Sequence, residues 1–291
     1  MMKRYTLLLS LLLFTHLLMG QKEMDIPQNN VNTKGFAERL PETLQLYDLE
    51  DLRYSPDSLG IRIWKQHSIF TLQLDDSISC EYKIHTKKSS KPISSTTSFP
   101  QSISQPLLEA IMAQSIWELE DDDYRGIDGS FVYFEIATPA SYKVLSIWSG
   151  RLRSTQNGEL ATQLLNLVNT TLETNKLTSI FLDSLSPGCY RWGMSGICID
   201  KFLGNEVQKT DFYSYAENRI KSELNITEDT GHYNYPIVII NNKPAKLSDL
   251  NQYSMKDMKS LDILSEDNGV PALAIYGTRA KNGVVVLTTK K

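Results

Sequence analysis

The sequence predicts an α+β protein in which an N-terminal sheet covered by two helices is followed by a small β-α-β-α-β module. Three observations support this. Short segments from Ser58 onward alternate apolar and polar residues, two segments carry apolar residues at helical spacing, and short apolar runs separated by turn residues follow residue 235. The composition fits a folded chain, since 41% of the 291 residues are hydrophobic and 22% are charged.

Residues 1–20 have the pattern of a secretory signal peptide. Lys3 and Arg4 precede the apolar run Leu7–Leu13, and the segment ends at the small residue Gly20. We therefore expect the protein to be exported, with an uncleaved membrane anchor as the alternative. Cleavage would leave 28 basic against 34 acidic residues, a balance that argues against a nucleic-acid partner.

The region 21–57 is polar and lacks sustained periodicity, so we predict an extended leader. Residues 58–185 form the predicted α+β domain. Its first strands are Ile61–Trp64 and Ile69–Leu74, and the meander continues from Ser79 to His85. The segment 86–104 is rich in Ser, Thr and Pro, which predicts a mobile loop.

The second half of this domain supplies its two helices and a hairpin. Pro106 occupies a favoured first-turn position and starts the first predicted helix. Strands Phe131–Ile136 and Tyr142–Trp148 are predicted to pair across a turn, and Leu160–Leu172 has the spacing of an amphipathic helix. Residues 186–234 are predicted to be a connecting hairpin and linker.

The three cysteines indicate one disulfide. Cys189 and Cys198 flank a segment with two glycines, which suits a tight turn, and export permits oxidation. We predict a hairpin disulfide that pins Trp192 at an exposed tip; the alternative is two reduced, buried thiols. Cys80 lies in a predicted strand and should be a free, buried thiol.

No catalytic or metal-binding constellation is recognisable, so the sequence predicts no enzyme, no metal and no cofactor. His67, His85 and His232 lie on separate segments and fit neither a zinc pair nor a local Ser/His arrangement. The acidic residues could supply calcium ligands, but they lack the order of a calcium loop, and a solvated charge run explains them. These residues are Glu118, Glu120, Asp121, Asp122, Asp123 and Asp128.

The region 235–291 is predicted to form the small module. Ile237–Ile240 is an apolar strand, Ser248 offers the N-cap of a short helix towards Lys259, and Leu261–Leu264 gives a second strand. A helical turn then stops at a glycine. An Asn-Gly turn launches the last strand, Val284–Thr289, whose β-branched content is typical of a core strand.

The end of the chain resembles a known family. Pro236–Pro244, Met255–Ser265 and Pro271–Lys291 are similar to the last part of the plug domain of TonB-dependent outer-membrane receptors of the Bacteroidetes type. Asn241-Asn242 stands where the family has Asp-Gly, and the glycine-rich hairpin that precedes this strand in the family is not visible; no barrel follows. The motif residues that carry the likeness are Tyr276, Gly277, Arg279, Asn282 and Gly283.

The resemblance implies a non-enzymatic, periplasmic or outer-membrane-associated protein that acts through protein–protein association. Its partner would be an envelope protein, such as an outer-membrane receptor or a TonB-type component; the oligomeric state is not indicated. Two alternatives are open. The first is a secreted glycan-binding protein or enzyme that uses exposed Trp148, Tyr190 and Trp192, and the second is a truncated receptor remnant.

Two expectations concern the motif itself. Gly277 and Gly283 should sit where a Cβ would clash or where the backbone needs a positive φ. The guanidinium of Arg279 should bond carbonyl oxygens or a carboxylate of the same module, with Asp262 as the candidate, because a planar group with five donors suits the joining of two loops.

Overall fold

The computed structural model describes residues 22–89, 91–122, 124, 129–152, 154–265 and 278–290, and the protein is α+β as predicted. Contacts divide the chain into two compact units. Unit 1 consists of Met1–Thr86 and Ser90–Thr174, and unit 2 of Lys87–Ser89 and Asn175–Lys291. The division thus falls within a helix near residue 174, upstream of the expected boundary at 185.

The helices and strands follow in chain order. The helices are α1 (Val31–Tyr47), α2 (Gln101–Met112), α3 (Gln156–Thr171), α4 (Thr174–Ser184) and α5 (Asp211–Glu223). The strands are β1 (Glu23–Asp25), β2 (Leu59–Trp64), β3 (Ser68–Leu74), β4 (Ile78–Lys88), β5 (Lys91–Ser98), β6 (Phe131–Ala137), β7 (Ser141–Trp148), β8 (Gly188–Trp192), β9 (Ser195–Ile199), β10 (Ile237–Ile240), β11 (Lys243–Ala245), β12 (Met258–Leu264) and β13 (Val284–Thr289).

The sheet of unit 1 has the order β1-β7-β6-β2-β3-β4, and β5 also pairs with β4. β1 runs parallel to β7, whereas the pairs from β7 to β4 are antiparallel. The strands predicted at Ile61–Trp64, Ile69–Leu74, Phe131–Ile136 and Tyr142–Trp148 lie within β2, β3, β6 and β7. Consecutive residues are buried along β2 and most of β3, so both faces of the sheet are buried there. Each face therefore needs a cover.

The two faces are covered by different helices. On one face, Leu40, Leu44 and Tyr47 of α1 pack against Trp64 and Ile69. On the other face, the Cys80 thiol is hydrogen-bonded to Ser104 of α2, and α2 contacts α3. The predicted pair of helices thus corresponds to α2 and α3, and α1 is a third helix that was not expected.

A buried carboxylate connects the strands beneath α1. Glu135 on β6 is fully buried and accepts hydrogen bonds from the Trp64 indole and, at 2.8 Å, from the Tyr142 hydroxyl. Arg62 Nη1 lies 3.7 Å from Glu135 Oε2 and donates to the Glu50 carbonyl at 2.9 Å. Burial raises the pKa of Glu135, while Arg62 and the two donors oppose that rise.

The prediction of an extended leader over 21–57 is wrong. Asn30 caps α1, since its Oδ1 accepts the Asn32 and Thr33 amides, and the stripe Phe36, Leu40, Leu44 and Tyr47 gives the helix an apolar face. β1 adds a short edge strand in front of this helix. Pro41 lies inside α1, and because proline is disfavoured in helix interiors, this helix was not indicated by the sequence.

The predicted loop at 86–104 is also wrong. β4 continues to Lys88, Ser89 adopts a φ of +59° in the turn, and the Thr-rich segment pairs back as β5. α2 then begins at Gln101 and not at Pro106, which lies inside the helix. β-branched residues placed beside a long strand favour the ladder over a loop.

Unit 2 combines a hairpin, the helices α4 and α5, and a second sheet. β8 and β9 pair in antiparallel fashion, and Lys87, grouped with this unit, pairs with Arg191 of β8. The second sheet has the order β11-β10-β13-β12, with β10 and β13 parallel. α5 packs on one face of this sheet, where Phe212, Ala216 and Ile220 meet Val238 and Val285.

Two parts of unit 2 differ from the sequence prediction. The linker predicted within 186–234 contains α5, which Thr210 caps by accepting the Tyr213 amide and which belongs to the core. The helix predicted from Ser248 to Lys259 is a 3₁₀-helix over Leu247–Gln252, and β12 begins at Met258. The Asp257 carboxylate binds the Ser254 amide and hydroxyl, which fixes a turn in place of further helix.

We predict that Glu135→Leu lowers the free energy of unfolding by about 3–5 kcal/mol, because it leaves the Arg62 charge buried without its carboxylate. Urea denaturation measures the effect. Adding Arg62→Met should recover most of the loss, since the charge is then removed as well. The exposed Glu38 provides a control: Glu38→Gln should stay within about 0.5 kcal/mol of wild type. A single Glu135→Leu variant as stable as the control would contradict a structural role for the network.

Candidate functional site

A cleft of about 440 Å³ in unit 2 brings both groups of sequence-predicted site residues together. Cys198 of the predicted disulfide and Asn282 of the C-terminal motif line the same space. The other lining residues are Asp200, His232, Tyr233, Tyr235, Pro236 and Lys281. These residues come from the end of β9, from the 3₁₀-helix His232–Asn234 and from the segment before β13.

The hairpin next to the cleft is closed by a disulfide. Cys189 and Cys198 lie opposite each other in the β8–β9 register, with an S–S distance of 2.04 Å, and both are exposed. The Lys246 ammonium lies 3.5 Å from Cys189 Sγ. At the tip Met194 is 70% exposed, while Trp192 is half-buried near Phe181. Cys80 is the free, buried thiol expected, and burial raises its pKa to about 11.

The Asn282-Gly283 turn anchors the last strand at the cleft. Asn282 Nδ2 donates to the Tyr233 carbonyl at 2.7 Å, so the motif holds the loop that carries the exposed tyrosine. Gly283 has a φ of +96°, and a Cβ built there would lie 2.6 Å from Leu224. Both reasons for a glycine given in the sequence analysis therefore apply at this position.

His232, one of the lining residues of the cleft, is paired with Asp183. The Asp183 Oδ1 atom accepts the His232 backbone amide at 2.8 Å and lies 2.6 Å from His232 Nδ1. The Lys201 ammonium donates to the Asp183 carbonyl at 2.6 Å. Burial alone would raise the pKa of Asp183, but the hydrogen bonds from His232 outweigh it and lower that pKa.

The second ring nitrogen of His232, Nε2, is buried without a hydrogen-bond partner among the described residues. Only 2% of the His232 side chain is exposed. Next to it, the Tyr233 ring lies 3.8 Å from the imidazole, and Tyr233 is 68% exposed. A buried polar atom without a partner is costly, and an aromatic ring exposed beside it is a common feature of binding sites.

The surroundings of the Asp–His pair hold few reactive groups among the described residues. No described side chain lies within hydrogen-bond reach of His232 Nε2. The sulfur nearest the pair in the lining, Cys198, is held in the disulfide. In the part of the chain that the structure describes, no three His, Cys, Asp or Glu side chains group as a metal site would need.

The remaining motif residues are only partly described. Tyr276 and Gly277 lie outside the described residues, so the expectation for Gly277 stays a prediction. The backbone of Arg279 belongs to the 3₁₀-helix Thr278–Asn282, but its side chain is not among those described, so its pairing with Asp262 also stays a prediction. Asp262 itself is exposed on β12 and accepts from the Ser260 hydroxyl at 3.1 Å.

Sequence reasoning did not find the Asp–His pair. Asp183 and His232 are separated by 49 positions, and no local spacing reveals a contact between a helix end and a distant loop. From its sequence context His232 fitted neither a zinc pair nor a Ser/His arrangement. In the structure its Nδ1 contacts Asp183, while its Nε2 has no partner among the described residues.

The aromatic residues of the glycan-binding alternative do not form an exposed platform. Tyr190 is buried and donates to the Ser186 carbonyl at 2.6 Å. In unit 1, Trp148 is half-buried and lies against Tyr124 and two glycines, Gly129 and Gly150. Sugar stacking needs open aromatic faces, so the structure weakens this alternative.

Comparison with known proteins gives no assignment. No family model matches the chain, and no curated protein or solved structure is similar to it. Each helix in the described part of the chain is too short or too polar to cross a bilayer.

We predict that Gly283→Val destabilises the protein by about 1–3 kcal/mol, because valine disfavours a positive φ and its Cβ would meet Leu224. Chemical denaturation of the full chain measures the change. Gly196→Val is the matched control, since a Cβ there makes only ordinary contact with the Tyr190 carbonyl. Equal stability of the two variants would contradict the backbone constraint at 283.

We predict that iodoacetamide modifies only Cys80 when the protein is denatured without reductant, because Cys189 and Cys198 are joined. Mass spectrometry counts the labels, and prior reduction should add two more. Labelling of all three cysteines in the unreduced protein would show that the hairpin carries free thiols.

Proposed function

We propose that this protein is an exported, non-enzymatic component of the cell envelope that binds another envelope protein through the unit 2 cleft. The observation that carries the proposal is the exposed Tyr233 ring at the cleft, which lies against the buried imidazole of His232. A partner that packs on Tyr233 would bury an aromatic ring that the imidazole already supports from beneath.

The walls of the cleft are held by cross-links, which lowers the cost of binding. The disulfide fixes Cys198, Asn282 holds the Tyr233 backbone, and Asp183 fixes the buried imidazole of His232. A surface with fixed side chains loses little conformational entropy when a partner docks. Docking at this cleft therefore costs less conformational entropy than docking at a loop that becomes ordered only on binding.

The plug-like assignment of the C-terminal module is part of the proposal. In support, β10 and β13 are parallel neighbours. Asn241 and Asn242, which stand where the family has Asp-Gly, both adopt the positive φ that such a turn requires. Export is supported by the signal pattern of residues 1–20 and by a disulfide, which persists in oxidising compartments. The proposed location is the periplasm or the periplasmic side of the outer membrane.

The binding test is a crosslinking pull-down of the tagged full chain from its native envelope. Tyr233→Ala should weaken capture of the partner at least tenfold, as the loss of a central aromatic contact costs more than about 1.4 kcal/mol. Tyr54→Ala is the control, because Tyr54 is 75% exposed and belongs to unit 1. The same partner captured equally by both variants would place the interface elsewhere and contradict the proposal.

Export has its own test. Cell fractionation should recover the protein with the envelope, and N-terminal sequencing should begin at Gln21. A cytoplasmic protein that retains Met1 would contradict export. A protein that is exported but captures no partner would favour the alternative of a receptor remnant.

A further inference from the structure

A second cavity, of about 520 Å³, lies within unit 1. Its walls come from the turn between β2 and β3, from the end of the β6–β7 pair where β6 begins and β7 ends, and from one face of α3. This volume lies in the range of pockets that hold small organic ligands.

The cavity is lined by hydrogen-bond donors and by no carboxylate among the described residues. Lys65 is half-buried and has no acidic partner in that part of the chain, and burial lowers its pKa. Beside it, burial and the Lys65 ammonium lower the pKa of His67 to about 4, so His67 is neutral at pH 7. One cation therefore faces the cavity without a counter-charge from the described residues.

Two polar side chains present donors to the same space. Asn169 Oδ1 accepts the Thr174 hydroxyl at 2.9 Å, which leaves the Asn169 amide nitrogen as the donor towards other groups. Ser149 Oγ accepts the Ser130 amide at 3.1 Å, so the hydroxyl hydrogen of Ser149 is available for donation. Lys65, Asn169 and Ser149 all line this cavity, and an ammonium combined with neutral donors is the set of groups that binds a carboxylate.

The remaining wall is apolar. Phe131, Val132, Leu152 and Leu165 line the cavity, so a ligand that reached the donors would also bury a hydrocarbon body. A phosphate or sulfate would leave this wall uncovered and would bring more charge than one lysine balances.

We propose that the cavity of unit 1 is a binding site for a small monocarboxylate with an apolar body, whose carboxylate is held by Lys65, Asn169 and Ser149. The ligand class follows from the single cation among the described lining residues, the paired neutral donors and the apolar wall. The site is independent of the unit 2 cleft, so the protein would combine a small-molecule site with a protein-binding surface.

The probe is octanoate, titrated into the full chain by calorimetry, with octanol and octylamine as uncharged and cationic counterparts. Octanoate should bind at least tenfold more tightly than either counterpart, and it should shift the amide NMR signals of Gln66, Ser130 and Asn169. Lys65→Met should weaken octanoate binding at least tenfold and should raise the melting temperature of the ligand-free protein, because it removes a half-buried charge without a partner.

Lys34→Met serves as the matched control, since Lys34 is exposed on α1, and it should bind as wild type does. Three results would each overturn the proposal. They are no binding of octanoate to the wild-type protein at millimolar concentration, octanol binding as tightly as octanoate, and undiminished octanoate binding by a folded Lys65→Met variant. If Lys65→Met fails to fold, Asn169→Leu replaces it as the test, with the same tenfold loss expected.

Discussion

The buried carboxylate of Glu135 is the constraint around which unit 1 is arranged. It receives the Trp64 indole of β2 and the Tyr142 hydroxyl of β7, and its cationic neighbour Arg62 reaches the chain after α1 through the Glu50 carbonyl. A shift of one residue between these strands would move the charges to the opposite face of the sheet, away from their partners. The network therefore favours one register of these strands and joins them to the segment after α1.

Unit 2 obtains its order by other means. Its sheet contains the parallel pair β10 and β13, whose strands are far apart in sequence. Positive φ angles at Asn241 and Asn242 shape the turn after β10, and a positive φ at Gly283 shapes the turn before β13. Asn241 exchanges two hydrogen bonds with Thr289, which joins the turn after β10 to the end of β13. At the opposite end of the same strands, the disulfide of Cys198 and the Asn282–Tyr233 hydrogen bond hold the cleft residues in defined positions, a property that binding requires more than stability does.

The sequence was informative where a pattern is local. The apolar segments of β2, β3, β6 and β7 and the β-branched run of β13 predicted these strands, although the half-buried strands that alternation suggested are buried on both faces over much of their length. It failed where a local rule was overridden: Pro41 and Pro106 both lie inside helices, and a Thr-rich segment became β5. The unit 2 cleft and the unit 1 cavity could not be predicted, since the Asp183–His232 contact in the one and the donors around Lys65 in the other join residues that no sequence spacing relates.

The parallel pairing of β1 with β7 has a consequence for the order of events during the proposed export. Glu23 lies opposite Ser141, so the strand that follows residues 1–20 must wait for a partner more than a hundred residues downstream. Pairings of such separation form slowly, because the intervening chain must first be closed into a loop. β1 consequently stays unpaired until residues 141–143 have been made, and an unpaired, unfolded chain is the form that a translocation channel threads.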